Sequence, residues 1–299
     1  MPPVLEKGKT ALITGAASGI GFAIAKLCRS KRMHLALLDV DIDNLPKARS
    51  ALEQEDSSLK TAAYLIDVGE SSEWESVTEQ VKSTFKTVDL LVLNAAKAKK
   101  PQYSTPWLGN VDNWKEIMAT NVFGPVNAIS ALLPLMKEDE SPKAIVITGS
   151  KQGITNPPGA GNPAYNSSKG AIKILAEHLA HDLRSEPESA HISAHLLVPG
   201  WTWTGLTGNT GPGSESEGEK KPQGSWTAGQ VAEELEKGLE RGSFYIICPD
   251  GETDRALDLA RMQWAIGDVI EDRPALSRWE GEWKEKAEKA IREDAGKRK

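Results

Sequence analysis

Seven short apolar runs punctuate the chain, at 9–14, 35–38, 61–66, 90–93, 144–148, 192–198 and 244–248, and a stretch of helical composition separates each from the next. The runs are close to continuously apolar, which marks strands buried on both faces. Strands of that kind alternating with helices predict one parallel sheet with helices on both sides. Right-handed crossovers then make the fold doubly wound, and its ligand crevice lies beyond the carboxyl ends of the strands. Gly15, Asp39, Asp67, Asn94, Ser150 and the Pro199-Gly200 pair all fall at such ends.

The expectation is therefore an α/β protein with a doubly wound, mostly parallel seven-stranded sheet, Rossmann-like. The first strand supports it, because it runs into Gly15-Ala16-Ala17-Ser18-Gly19-Ile20-Gly21 and then into helix formers. Strand, glycine turn and helix N-terminus form the setting in which a dinucleotide pyrophosphate is bound. Gly15 permits the tight turn, Gly19 the approach of backbone to phosphate, and Gly21 close packing of helix on sheet. Ser18 and Ile20 complete the expected contacts. Asp39 ends the second run, 24 residues after Gly15. A carboxylate there accepts hydrogen bonds from an adenosine ribose diol and repels a 2′-phosphate. Neither Ser18 nor Val40 is basic, so NAD is expected over NADP.

Tyr165 and Lys169 are spaced i, i+4 and share one face of a helix. An ammonium one turn away is expected to lower the phenol pKa from about 10 towards working pH, which makes the pair a proton-transfer device.

The net charge of −6 offers no basic field for nucleic acid. The two cysteines, Cys28 and Cys248, lie far apart in apolar contexts and read as core thiols. Sparse cysteine fits a reducing compartment, so a cytoplasmic location is expected. No apolar run is read as approaching membrane-spanning length, no signal peptide is read at the N-terminus, and the five histidines show no metal-ligand spacing, so no metal is expected. Residues 205–228 are rich in Gly, Ser, Glu, Lys and Pro and follow a strand end, where lids sit. Residues 1–251 read as one nucleotide-binding and catalytic domain, and 252–299 as a helical extension packed on it or on a partner subunit.

Taken in order, Thr14-Gly15-x-x-x-Gly19-x-Gly21, Asn94-Ala95, Asn121, Ser150, Tyr165-x-x-x-Lys169 and Pro199-Gly200 resemble the short-chain dehydrogenase/reductase family in its compact form, over about residues 8–250. The resemblance implies a catalytic tetrad of Asn121, Ser150, Tyr165 and Lys169. Tyr165 acts in it as acid and base and Ser150 stabilises the reacting oxygen. Lys169 lowers the Tyr165 pKa and binds the nicotinamide ribose, and Asn121 holds a relay water. It further implies that Asp67-Val68 meets the adenine and that Asn94 and Ala95 fix the backbone near the adenosine. Pro199, Gly200, Thr202 and Thr204 surround the carboxamide. Assembly as a homodimer or homotetramer through the helices of Asn121 and Tyr165 is expected on the same ground. Two departures stand out. Ala96 replaces the family's usual glycine, which puts the local backbone geometry in question, and Tyr165 follows Ser150 by 15 positions, more than is common.

The function expected from this is NAD-dependent hydride transfer between the nicotinamide and a secondary alcohol or ketone. Trp201 and Trp203, with Trp107 and Trp226 on flanking loops, suggest an apolar or cyclic small-molecule substrate. The alternatives are a redox-neutral dehydratase or epimerase of the same fold, and a dinucleotide-sensing protein without chemistry. A sensor would need none of Ser150, Tyr165 and Lys169.

Overall fold

The computed structural model describes residues 4–98, 111–159, 162–207, 221–251 and 253–299. Each expected run is a strand: β1 (Thr10–Thr14), β2 (His34–Asp39), β3 (Thr61–Leu65), β4 (Leu90–Leu93), β5 (Lys143–Thr148), β6 (Ile192–Val198) and β7 (Tyr245–Ile247). They form one seven-stranded sheet in the order β3-β2-β1-β4-β5-β6-β7. Every pairing is parallel, which goes beyond the expected "mostly parallel". The direction of winding reverses between β1 and β4, so the crevice opens between Thr14 and Asn94.

Alternate residues of each strand feed opposite faces. Leu12, Leu91, Leu93, Ile145 and Ile147 pack with α3 (Trp74–Phe85), α5 (Gly124–Met136) and α7 (Pro163–Ser185). Ala11, Ile13, Leu90, Val92 and Val146 pack with α1 (Gly19–Ser30), α2 (Leu45–Glu55) and α8 (Ala228–Glu240). Cys28 and Cys248 are buried free thiols, and burial pushes each up to about 12, so neither is reactive.

Helix α4 (Val111–Met118) continues through a π-turn (Ala119–Phe123) into α5. This 26-residue helical segment is long and apolar enough by length and composition to cross a membrane, which corrects the reading that no such run exists. Ala128, Leu132, Leu135 and Met136 are buried under the sheet, as in a core helix.

Beyond β7, α9 (Arg255–Ile270) and α10 (Gly281–Lys297) pair through Ala260, Ala287, Ile291 and Ala295. Their connection is tied down by Trp264 Nε1 donating to Ser277 Oγ at 2.9 Å and by Arg273 stacked 3.9 Å from the Trp264 ring. Helix α9 contacts α6 (Gln152–Thr155), a short turn between Ser150 and Tyr165. Trp279 Nε1 donates to the Asn156 carbonyl at 2.9 Å, so the tail grips that same connection.

Candidate active site

The glycine turn is built on the crevice. Gly15 and Gly19 hold φ of +66° and +53°, a region that favours glycine. A Cβ on Gly15 would come within 2.9 Å of Ala95 Cα, and one on Gly21 would run into the Gly15 carbonyl oxygen. Thr14 Oγ1 accepts from the amides of Asn94 (2.9 Å) and Ala95 (3.1 Å). Asn94 Nδ2 donates to the carbonyls of Thr14 (3.3 Å) and Gly15 (3.4 Å), and its Oδ1 accepts from Thr148 Oγ1 (3.3 Å). One amide therefore joins the ends of β1, β4 and β5. Ala96 is absent from the residues with positive φ, so alanine replaces the family's glycine there without backbone strain.

Ser18, the N-cap of α1, makes no capping hydrogen bond through its side chain, which leaves the first-turn amides facing the crevice for a phosphate. Asp39 accepts from Ala17 N at 2.8 Å and from Asp41 N at 3.0 Å, so the carboxylate also shapes the turn it overlooks. Asp67 accepts from Gly69 N at 2.9 Å and pairs with Lys97 at 3.4 Å. Across the crevice, Thr204 packs on Gly19, where a Cβ would meet the Thr204 Cβ at 3.2 Å.

A cleft of about 780 Å³ runs along these residues, within the size range of small-molecule sites. Every expected site residue lines it except Gly21, which lies beneath the turn, and Asn121, which stands behind the wall. The bonds of Asn121 explain its position. Its Nδ2 donates to the Lys97 carbonyl (3.0 Å) and to Ser168 Oγ (2.9 Å), and its Oδ1 accepts from Lys97 N (2.7 Å). Ser168 Oγ donates in turn to the Tyr165 carbonyl at 2.7 Å. The amide thus pins the segment after β4 to the first turns of α7.

Tyr165 lies in the first turn of α7, where Asn162 Oδ1 caps its backbone N–H at 3.2 Å and Pro163 starts the helix. Its phenol shares the cleft with the Ser150 hydroxyl, which acts to lower the phenol pKa. Lys169 is 3% exposed, lies 5.7 Å from the Tyr165 ring centroid and donates to the Thr148 carbonyl at 2.8 Å. The expected lowering of the Tyr165 pKa by Lys169 needs correction. Burial raises the phenol above its ordinary value, and only the nearby Ser150 hydroxyl opposes the rise. The lysine itself is lowered by burial from 10.5 to about 8, because its amine is desolvated and faces a carbonyl, with no carboxylate beside it among the described residues.

Beyond Ser150 and Tyr165 the wall carries residues that the sequence did not single out: Lys151, Gln152, Thr155, Asp250, Asp258 and Arg261. Lys151 Nζ lies 2.7 Å from both Asp250 and Asp258. Of the indoles, Trp201 lines the cleft and is 47% exposed. Trp226 packs against the core and bonds Trp203 N through its carbonyl at 2.8 Å. Trp107 and the greater part of the 205–228 loop lie outside the described residues.

Comparison with known proteins agrees with this fold. The family profile described as short chain dehydrogenase matches residues 9–215. A CLA biosynthesis dehydrogenase/reductase from Lactiplantibacillus plantarum is 28% identical over 260 residues, covering 81% of this chain and 88% of its own length. A 2,3-dihydro-2,3-dihydroxybenzoate dehydrogenase from Bacillus subtilis is 28% identical over 200 residues, covering 67% and 72%. Among solved structures, a short chain dehydrogenase/reductase from Burkholderia phymatum in complex with NAD superposes with a TM-score of 0.75 at 26% identity, covering 89% of this chain and 96% of that one.

Proposed function

The chain belongs to the short-chain dehydrogenase/reductase family, and from that premise we propose an NAD-dependent oxidoreductase acting on a secondary alcohol or ketone with an apolar or cyclic body. The observation that carries the reading is the convergence of Ser150 and Tyr165 on one cleft, with the buried Lys169 amine one turn along α7. When bound, NAD accepts or returns the hydride at the substrate carbon. In oxidation Tyr165 Oη takes the hydroxyl proton, and in reduction it gives the proton back. The Ser150 hydroxyl holds the same oxygen and steadies its developing charge. Lys169, with a pKa of about 8, can exchange a proton at Nζ near neutrality and serves as the next carrier. Asn121 is a positioning residue in this picture, because its amide is committed to Lys97 and Ser168.

The glycine cradle, the uncapped start of α1 and Asp39 support NAD as the dinucleotide, and the Asp39 charge disfavours a 2′-phosphate. Asp67 and Val68 are read as the adenine side, and Thr202 and Thr204 as the carboxamide side. Residues 1–251 form the catalytic unit on this reading, and 252–299 an extension that bears on its cleft. Phe123, Val126 and Ile174, exposed by 56%, 40% and 57%, support a dimer or tetramer through the helices of Asn121 and Tyr165.

The cyclic body rests on Trp201 in the cleft wall, and one relative is named for a cyclic diol acid. The test is absorbance of reduced nicotinamide across cyclic, aromatic and small polar alcohols, with wild type and Tyr165→Phe. The variant lacks only the hydroxyl. It is expected to lose turnover by at least about a hundredfold and to keep NAD affinity. Retained turnover would remove Tyr165 from the chemistry.

A further inference from the structure

The far wall of the cleft is charged, and part of it comes from the tail. Lys151 follows Ser150 directly, Asp250 follows β7, and Asp258 and Arg261 project from α9 one helical turn apart. Both acids are already engaged. Each has a carboxylate oxygen 2.7 Å from Lys151 Nζ, and Asp250 also accepts from Trp201 N at 2.7 Å. Lys151 is outnumbered by these two carboxylates and has little left to offer a ligand.

Arg261 differs from its neighbours. It lines the cleft and is half-buried, and among the described residues it forms no ion pair. Its one hydrogen bond runs from Nη1 to the neutral hydroxyl of Thr253 at 3.2 Å. A guanidinium is a planar fork of donors matched to a carboxylate, and most of this fork is unused. A second cation stands near it. Arg278 has a buried Nη1 with no hydrogen-bond partner among the described residues. Burial first, and then the charge of Arg261, hold Arg278 below its ordinary pKa, offset in part by Asp268 and Glu288. Two guanidiniums that feel each other's charge thus stand at this end of the cleft with idle donors, and the charge of Arg261 also eases the ionisation of Asp258 one turn back.

We propose that Arg261 is a specificity-determining residue, and that it receives a carboxylate on the end of the substrate remote from the reacting carbon. The substrate class is then a secondary alcohol or ketone whose cyclic body passes Trp201 and whose acid group reaches α9. This rests on the hydride-transfer reading of Ser150, Tyr165 and Lys169. The contact lies beyond residue 215, where the family match ends, so it is a property of this chain's extension.

The experiment uses the full chain saturated with NAD and follows binding of benzoate and of neutral benzamide by calorimetry. Arg261→Met keeps the stem and removes the fork, and Arg261→Lys keeps the charge without the fork. Benzoate affinity is expected to fall at least about tenfold in Arg261→Met and less in Arg261→Lys. Benzamide affinity and melting temperature should hold within experimental scatter. Equal benzoate affinity in wild type and Arg261→Met would overturn the proposal. So would a matching loss for both ligands, which would make the arginine mere wall, or no benzoate binding to wild type. In a parallel arm, cyclic alcohols with and without a carboxylate are compared as substrates. Absence of turnover for both, with benzoate binding still dependent on Arg261, would sink the hydride-transfer reading and leave the anion site standing.

Discussion

Replacing Lys169 by methionine is expected to make the ligand-free protein inactive and more stable at once. The lysine is 3% exposed, its ammonium donates to the Thr148 carbonyl, and burial lowers its pKa from 10.5 to about 8. At about 1.4 kcal/mol per tenfold change in proton affinity, holding the ammonium in the folded chain costs roughly 3 kcal/mol. Methionine fills a similar volume without charge, and it forfeits a hydrogen bond of about 1 kcal/mol. The net gain at pH 7 is therefore roughly 2 kcal/mol. Its pH dependence identifies its origin. Below pH 8 the lysine is protonated in both folded and unfolded chains, and the folded protein bears the full cost. Between pH 8 and 10.5 the folded lysine loses its proton first, so wild-type stability rises with pH. Above that window the cost is gone and the variant keeps only the lost hydrogen bond. Urea midpoints of ligand-free wild type and Lys169→Met at pH 7 and pH 10 measure the difference. A variant that is less stable at pH 7, or whose advantage is the same at both pH values, would refute burial as the source of the low proton affinity.

Gly21→Ala would drive a Cβ into the Gly15 carbonyl oxygen. A loss of about 1–3 kcal/mol in stability and weaker NAD binding are expected from melting and fluorescence titration, and wild-type values in both would mean that the turn yields. Asp39→Asn keeps an acceptor for Ala17 N and removes the charge, so the ratio of kcat/KM for NAD to that for NADP should fall at least about tenfold. An unchanged ratio would take Asp39 out of the discrimination.

The sheet was legible because parallel strands buried on both faces are written as continuous apolar runs. At the edge that signal blurs: β3 is outermost, and its Leu65 is 54% exposed although apolar. Gly15, Gly19 and Asp39 were legible for a different reason, since their roles follow from neighbours in the chain and from strand ends. The i, i+4 spacing of Tyr165 and Lys169 fixed a shared face but not where the amine points, and burial changed the sign of the expected effect on the phenol. Nothing local marked Lys151, Asp250, Asp258 or Arg261. Lys151 and Asp250 meet across 99 residues, and an Asp-x-x-Arg pair on a helix looks like any solvated face until the fold buries it. The tryptophan cluster was over-read, because Trp226 turns to the core and of the described indoles from the cluster only Trp201 lines the cleft.

Ser150 and Lys151 leave β5 side by side, and they serve different masters. The first shares the cleft with the phenol and the second holds the tail. A single peptide unit therefore separates the serine proposed to steady the reacting oxygen from the ion pair that seats α9. Asp250 alone could neutralise Lys151, since its Oδ1 lies 2.7 Å from Nζ, so charge balance does not require Asp258. Burial raises the Asp258 pKa, which means that the folded chain bears a cost to keep the carboxylate ionised at this place. What that cost secures is the placement of α9 against Lys151, and with it the position of Arg261 one turn further on. On the proposed reading, recognition by the extension and alignment of the reacting groups would be coupled through the backbone at 150–151, and substitutions in the tail that shift α9 should disturb both together.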